Sequence, residues 1–147
     1  MIIFFMRKLL FLLVITLVLG CDDSNFNNRN PYLPNYQFSF DINTNLPSYS
    51  NLQFPSNHIK IYPSNGPSSG VIVFNTGSTF NAFDGGCPNH DLSGCSILGI
   101  NGIEADCNCD FHENISYNLF TGQAPGEQYQ LKQYRVEVNG TNIRVYN

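Results

Sequence analysis

The sequence contains no tryptophan and little charge of either sign. Only 12% of its 147 residues are Asp, Glu, Lys or Arg, and seven basic side chains stand against 11 acidic ones. Proteins that bind nucleic acid need concentrated Lys and Arg to neutralise its phosphates. Nucleic acid is therefore excluded as a partner. A P-loop, a dinucleotide-binding glycine pattern and a Ser–His–Asp arrangement are also absent, so no enzyme class is indicated.

Helical periodicity is lacking as well, whereas 8 prolines and 12 glycines punctuate the chain. Residues 70–74 form a continuous apolar run that is short enough for a buried strand. Residues 79–83 are predicted to form the returning arm of a hairpin. Alternating runs at 134–138 and 142–146 flank Asn139-Gly140, which is a strong hairpin signal. These patterns predict an all-β domain of short strands.

The N-terminus is the one long apolar region of the sequence. An apolar run follows Arg7 and Lys8 and ends in Leu19-Gly20-Cys21, which resembles the lipobox of bacterial lipoproteins. The resemblance implies that Cys21 is lipidated. We expect a signal peptide at 1–20, a polar tether at 21–34 and one folded domain at 35–147, although an ordinary secretory signal is the alternative. The resemblance therefore implies a protein of the bacterial cell envelope, lipid-anchored on the periplasmic or outer-membrane side.

Cysteine and histidine are concentrated in one stretch. The stretch contains four of the five cysteines and two of the three histidines, namely Cys87, His90, Cys95, Cys107, Cys109 and His112. These side chains are typical ligands of iron and zinc, and export to an oxidising compartment would also favour disulfides. The surrounding Gly, Asn, Asp and Ser predict turns. The residues alone therefore indicate two loops that hold a metal, disulfides or both.

The order of motifs resembles a Rieske iron–sulfur domain. The motifs are Phe80-Asn81-Ala82-Phe83-Asp84, the Cys87-Pro88-Asn89-His90 loop, the Cys107-Asn108-Cys109 loop, Tyr117 to Gly122, and Leu131 to Val136. The resemblance covers about residues 70–146. It implies an antiparallel β-sandwich or barrel with two cluster-binding loops on hairpins, to which residues 31–54 would add strands.

The resemblance also implies roles for the loop residues. Cys87 and Cys107 would bind one iron of a [2Fe–2S] cluster and His90 and His112 the other, while Cys95 and Cys109 would form a disulfide that clamps the loops. Two positions depart from the family pattern. Asn89 and Asp110 stand where the family has histidine, so His90 is one residue late and His112 two residues late.

Three interpretations of these loops stay open. The first is an intact cluster for one-electron transfer, in a carrier or a subunit of an oxidoreductase system and not an enzyme by itself. The second is a degenerate, cluster-free interaction or structural module stapled by disulfides. The third is mononuclear zinc or another single metal.

Charge around the loops indicates the kind of partner. Between Lys60 and Lys132 the sequence has no Lys or Arg but seven acidic residues, and the whole-chain net charge of −4 becomes −6 once Arg7 and Lys8 are removed. A redox partner protein with a basic surface is therefore expected. The carboxylates of Asp84, Asp91, Asp106 and Asp110 are expected to be exposed in the loops.

Overall fold

The computed structural model describes residues 28–109 and 115–147, which form nine β-strands and one 3-10 helix. The strands are β1 (Ser39–Asn43), β2 (His58–Ile61), β3 (Val71–Asn75), β4 (Phe80–Asp84), β5 (Gly99–Asn101), β6 (Glu104–Cys107), β7 (Ile115–Asn118), β8 (Gln133–Asn139) and β9 (Asn142–Tyr146), and the helix is Pro47–Gln53. Every strand pairing is antiparallel. The predicted all-β class is confirmed.

Six strands form the larger sheet, in the order β1-β9-β8-β4-β3-β2. Two of its hairpins are those that the sequence predicted. The β3–β4 turn contains Gly77, with a φ of 94°, and the β8–β9 turn contains Gly140, with a φ of 59°. Glycine adopts such left-handed conformations without a steric penalty, and this is why these turns close in so few residues.

The three remaining strands form a smaller sheet, in the order β5-β6-β7. Asn101 pairs with Glu104, and Gly102 in the turn between them has a φ of 61°. Cys107 is the last residue of β6 and pairs with Ile115 of β7. The second cysteine loop therefore extends from the end of this small sheet, whereas the first begins at the end of β4 in the large sheet.

Strand β3 lies between two apolar cores. All five of its residues are buried, and their side chains alternate between the two sides. Ile72 and Phe74 belong to a core shared with the small sheet and the cysteines, whereas Val71 and Val73 belong to a core with β1, β8 and β9. Burial on both faces explains why the run is continuously apolar, and each large side chain contributes about 1.5–3 kcal/mol.

Residues 46–54 lie in the segment that was expected to add strands, but they do not form a strand. They contain the 3-10 helix, which begins at Pro47 and buries Leu52. Proline is favoured in the first turn of a helix because its fixed φ suits that turn and its missing N–H would have no helical partner. The expectation that residues 31–54 add several strands to the sheet is therefore met only by β1.

The described part of the predicted tether lies against the domain. Leu33 is buried, and the Lys132 ammonium group donates a hydrogen bond of 2.7 Å to the carbonyl oxygen of Pro34. The amide of Asn30 donates to the carbonyl oxygen of Pro88 at 2.9 Å. The predicted signal peptide and Cys21 lie outside the described residues. Within 28–109 and 115–147 there is no helix of the length and apolar character needed to cross a membrane.

Candidate metal centre

The first cysteine loop leaves β4 through Asp84-Gly85-Gly86. A Cβ atom on Gly85 would lie only 2.3 Å from the carbonyl oxygen of Ser69, so the chain passes too close to that segment for any side chain. The loop is closed at its base, because Cys87 N donates to Ser96 O at 2.8 Å. Glycine at this exit thus lets the loop fold back directly over the end of the large sheet.

A buried carboxylate fixes the start of this loop. Asp84 is fully buried, and its Oδ1 accepts hydrogen bonds from Ser69 Oγ at 2.6 Å and from Gly86 N at 2.8 Å. Its Oδ2 accepts from the Tyr134 hydroxyl at 2.7 Å. Burial together with the nearby Asp84 charge raises the pKa of Tyr134 well above its usual value. The expectation that Asp84 is exposed is wrong, because three donors replace water around it.

Two lysines lie near the same carboxylate. Lys60 Nζ donates to the carbonyl oxygen of Leu98 at 3.1 Å, and Lys132 Nζ to that of Pro34. Burial lowers the pKa of both ammonium groups, and the negative charge of Asp84 partly opposes that shift. Lys60 thus links β2 to the residue before β5, and Lys132, directly before β8, links to the segment before β1. Sequence reasoning missed this cluster, because its members are far apart in the chain.

All four loop cysteines meet where the two sheets adjoin. The structure contains a Cys95–Cys109 disulfide, the pairing that the family resemblance implied, and a second disulfide between Cys87 and Cys107. Cys87, Cys107 and Cys109 are buried, whereas Cys95 is exposed. The assignment of Cys87 and Cys107 as iron ligands stays a prediction, and it applies to the pair in its reduced form.

His90 presents a ring nitrogen to this pair. Its Nε2 lies 3.1 Å from Cys107 Sγ, and its Nδ1 lies 2.9 Å from the carbonyl oxygen of Asp91. A carbonyl oxygen can only accept, so Nδ1 donates to it, and in the neutral ring Nε2 then carries the lone pair that faces Cys107 Sγ. The donor atoms of Cys87, His90 and Cys107 lie within 4.8 Å of one another, close enough for one metal centre.

Not all of the other residues that the sequence singled out fall within the described ranges. His112 and Asp110 are outside the described residues, so the structure does not place the predicted fourth ligand. His58 lies in β2 opposite Phe74, and burial lowers its pKa. Asp91 is exposed and Asp106 is half-buried, where it accepts a hydrogen bond from the Ser116 hydroxyl.

Asn89 and Tyr117 are a further pair that the sequence did not reveal. Asn89 Nδ2 donates to the Tyr117 hydroxyl oxygen at 2.7 Å, and this hydroxyl lies 4.0 Å from Cys87 Sγ. Tyr117 is fully buried, which raises its pKa, and the hydrogen bond from Asn89 opposes that shift. The neutral phenol is thus kept next to the cysteine pair. An available signal was Asn89 itself, an amide where the resembling family has histidine.

Comparisons with known proteins give matches among solved structures. No family model matches the chain, and no curated protein does. Solved structures similar to this chain include two of the carbazole 1,9a-dioxygenase system and one nitrite reductase small subunit.

One is a chain of the complex of reduced oxygenase and oxidized ferredoxin in carbazole 1,9a-dioxygenase (18% identity, TM-score 0.47, 75% of this chain and 92% of that chain). Another is the ferredoxin of carbazole 1,9a-dioxygenase from Nocardioides aromaticivorans IC177. It has 18% identity and a TM-score of 0.41, and the match covers 63% of this chain and 86% of that chain. A third, from Mycobacterium tuberculosis, is described as an NADH-dependent nitrite reductase small subunit. It has 18% identity and a TM-score of 0.45, and the match covers 77% of this chain and 97% of that chain. At this identity and these scores, the matches assign neither activity nor partner to the chain.

Proposed function

We propose that the protein holds a Rieske-type [2Fe–2S] centre at Cys87, His90, Cys107 and His112 and transfers single electrons. The observation that carries the proposal is the convergence of two loops from different sheets. They bring two sulfurs and one imidazole nitrogen within 4.8 Å of one another. His112 enters from the sequence pattern, as the second histidine of the same two loops.

The donor set fits such a centre once the cysteine pair is reduced. Thiolates and imidazoles are the ligands of a Rieske centre. A disulfide offers no thiolate, so two electrons and two protons must first convert Cys87–Cys107 into two thiols. A dithiol reductant, which becomes a disulfide in return, is sufficient for that step. Metal binding then releases the thiol protons.

The surrounding residues would tune the centre. When bound, it supplies a reversible one-electron couple, whose potential neutral histidine ligands raise relative to an all-thiolate site. Burial of Cys87 and Cys107 keeps water away from the sulfurs. The Asp91 carbonyl group fixes the tautomer and orientation of His90.

The charge near the loops supports a partner protein with a basic surface. Asp91 and Glu104 are exposed and Glu127 is half-buried, and the sequence between Lys60 and Lys132 contains no Lys or Arg. An acidic surface accelerates encounter with a basic partner and makes the rate fall as salt rises. We infer an electron carrier or a subunit of an oxidoreductase system.

The iron content of the reduced protein tests the proposal. Protein reduced with a dithiol and reconstituted anaerobically with iron and sulfide should be coloured and bind about two irons per chain. His90→Ala should lose the colour or shift its spectrum because one nitrogen ligand is gone. His58→Ala is the matched control and should keep the wild-type spectrum. Iron-free wild type after reduction and reconstitution would contradict the proposal.

The Cys87–Cys107 disulfide favours a second candidate function. In this second function the protein is a cluster-free interaction or structural module of the cell envelope, and both disulfides cross-link the loops. Cys87 and Cys107 would then stay oxidised in protein isolated from cells without added oxidant. Alkylation of the freshly isolated, denatured protein distinguishes the candidates, because free thiols at both positions would exclude the staple.

Attachment to the membrane through a lipid on Cys21 is a separate proposal, supported by Leu19-Gly20-Cys21 after a charged start. Cys21→Ser should release the protein into the soluble fraction or leave an uncleaved precursor. Processing and membrane partitioning that match the wild type would contradict the anchor.

A further inference from the structure

Asn89 occupies the position at which the resembling family has a metal-binding histidine, yet its side chain connects three segments of the fold. Its Nδ2 donates to the Tyr117 hydroxyl oxygen of β7 and to the Tyr129 carbonyl oxygen, both at 2.7 Å. Its Oδ1 accepts a hydrogen bond from Tyr129 N at 2.9 Å. Both N–H donors and the carbonyl oxygen of the amide are therefore used.

We propose that Asn89 is a positioning residue that locks the first cysteine loop onto Tyr117 and Tyr129 and so makes His90 the nitrogen donor of that loop. With residue 89 turned toward β7, the next side chain in the loop is the one that reaches Cys107. The His90 ring is held in that direction through Nδ1, which lies 2.9 Å from Asp91 O and 3.4 Å from Ser96 Oγ. This inference rests on the proposed metal centre and adds the reason for its displaced histidine.

Hydrogen-bond inventories explain why an amide is needed at position 89. The observed contacts require two donors and one acceptor on a single short side chain. A neutral imidazole offers one of each, and a carboxylate offers no donor, so neither can replace Asn89. Histidine at this position would leave a polar group near the buried Tyr117 without its partner. The family residue is thus incompatible with the contacts of this loop.

The amide also orients a proton next to the sulfurs. Because the Tyr117 oxygen accepts from Asn89, its own hydroxyl proton can be directed toward Cys87 Sγ, 4.0 Å away. A disulfide sulfur has no proton to donate, so in this state the tyrosine is the donor. Asn89 thereby acts on both sides of the centre, on the sulfur of Cys87 through Tyr117 and on the nitrogen of His90 through the loop.

Metal affinity of the reduced full-length protein tests the inference, with Co²⁺ as an anaerobic spectroscopic probe and iron–sulfur reconstitution in parallel. Asn89→Ala should weaken Co²⁺ binding about 10–100-fold, the usual effect of losing a group that orients a ligand. Asn89→His in a His90→Ala background restores the family spacing and should bind no better than His90→Ala alone. Asn81→Ala is the matched control. Its amide also bridges two carbonyl oxygens, those of Leu119 and Phe120, but outside the site, and its affinity should stay within about twofold of wild type.

A metal-free measurement separates a positioning role from general damage. Hydrogen exchange of the Tyr129 amide in the oxidised protein should accelerate about tenfold in Asn89→Ala, because its acceptor is lost, while amides of β3 keep their protection. Wild-type Co²⁺ affinity of the Asn89→His, His90→Ala variant, or unchanged affinity and exchange in Asn89→Ala, would overturn the inference. If Asn89→Ala binds Co²⁺ more weakly than wild type and Asn81→Ala, as predicted, but reconstitution gives no iron–sulfur centre, only the proposed function is overturned. If reduced wild type binds neither metal, both fall.

Discussion

Asp84 is the residue on which the geometry of the first loop depends. Its fully buried carboxylate accepts hydrogen bonds from Ser69, Gly86 and Tyr134, which belong to three separate segments. Removing the acceptor would leave two hydroxyls and one backbone N–H without a partner in the interior. Each such group costs about 1–3 kcal/mol, so this one carboxylate matters more than an exposed ion pair.

Asp84→Ala should therefore lower the free energy of unfolding by about 3 kcal/mol. Asp84→Asn should cost less, since it keeps an acceptor for Gly86 N and Ser69 Oγ. Asp41→Ala provides the control, because it removes an exposed ion pair with Arg144, with side chains 64% and 55% accessible, and should cost less than about 1 kcal/mol. Urea denaturation measures all three changes. Equal losses for Asp84→Ala and Asp41→Ala would show that the buried network contributes nothing.

The residue types of the candidate centre could be predicted, but their directions could not. The concentration of cysteine and histidine indicated the loops, and the structure brings Cys87, His90 and Cys107 together. The burial of Asp84 was missed because a buried carboxylate is tolerated only where donors surround it. Two of the donors come from distant residues. Ser69 is brought near by the pairing of β3 with β4, and Tyr134 by the pairing of β4 with β8.

Local signals predicted some elements and not others. The continuous apolar run at residues 70–74 predicted β3, and Asn139-Gly140 predicted the β8–β9 hairpin. Asn101-Gly102 has the same dipeptide, and the structure has a hairpin there too, between β5 and β6. It was not predicted because its strands have only three and four residues, too few to show an alternating pattern.

Gly102 tests whether this short hairpin requires its glycine. Its φ is 61°, and a Cβ added to it would meet no atom within 4 Å, so only the backbone conformation opposes a side chain. Gly102→Ala should therefore cost about 1–2 kcal/mol in free energy of unfolding. Gly94 is equally open and is not among the positive-φ glycines, so Gly94→Ala should be close to neutral. Thermal unfolding of both variants measures the difference, and indistinguishable midpoints would argue against a strained turn.

Across the whole molecule, the candidate centre lies where two sheets meet. The first loop comes from the six-stranded sheet and the second from the three-stranded sheet, and Cys87, Cys107 and Cys109 belong to the apolar core that joins them. Both disulfides connect the first loop to the end of β6 or the residues just after it. The two disulfides hold the loops together in the oxidised state. Once their own disulfide is reduced, Cys87 and Cys107 lie near His90.

The most direct test of the central claim is electron paramagnetic resonance of the reconstituted full-length protein during a redox cycle. A protein with the proposed centre should show no signal when oxidised, and after one-electron reduction the signal of a reduced [2Fe–2S] pair, which disappears on reoxidation. In the same samples, thiol mapping should find Cys95 and Cys109 oxidised and Cys87 and Cys107 protected by the metal. Absence of the signal after reduction, together with Cys87 and Cys107 that reoxidise to a disulfide in the presence of iron and sulfide, would contradict the account.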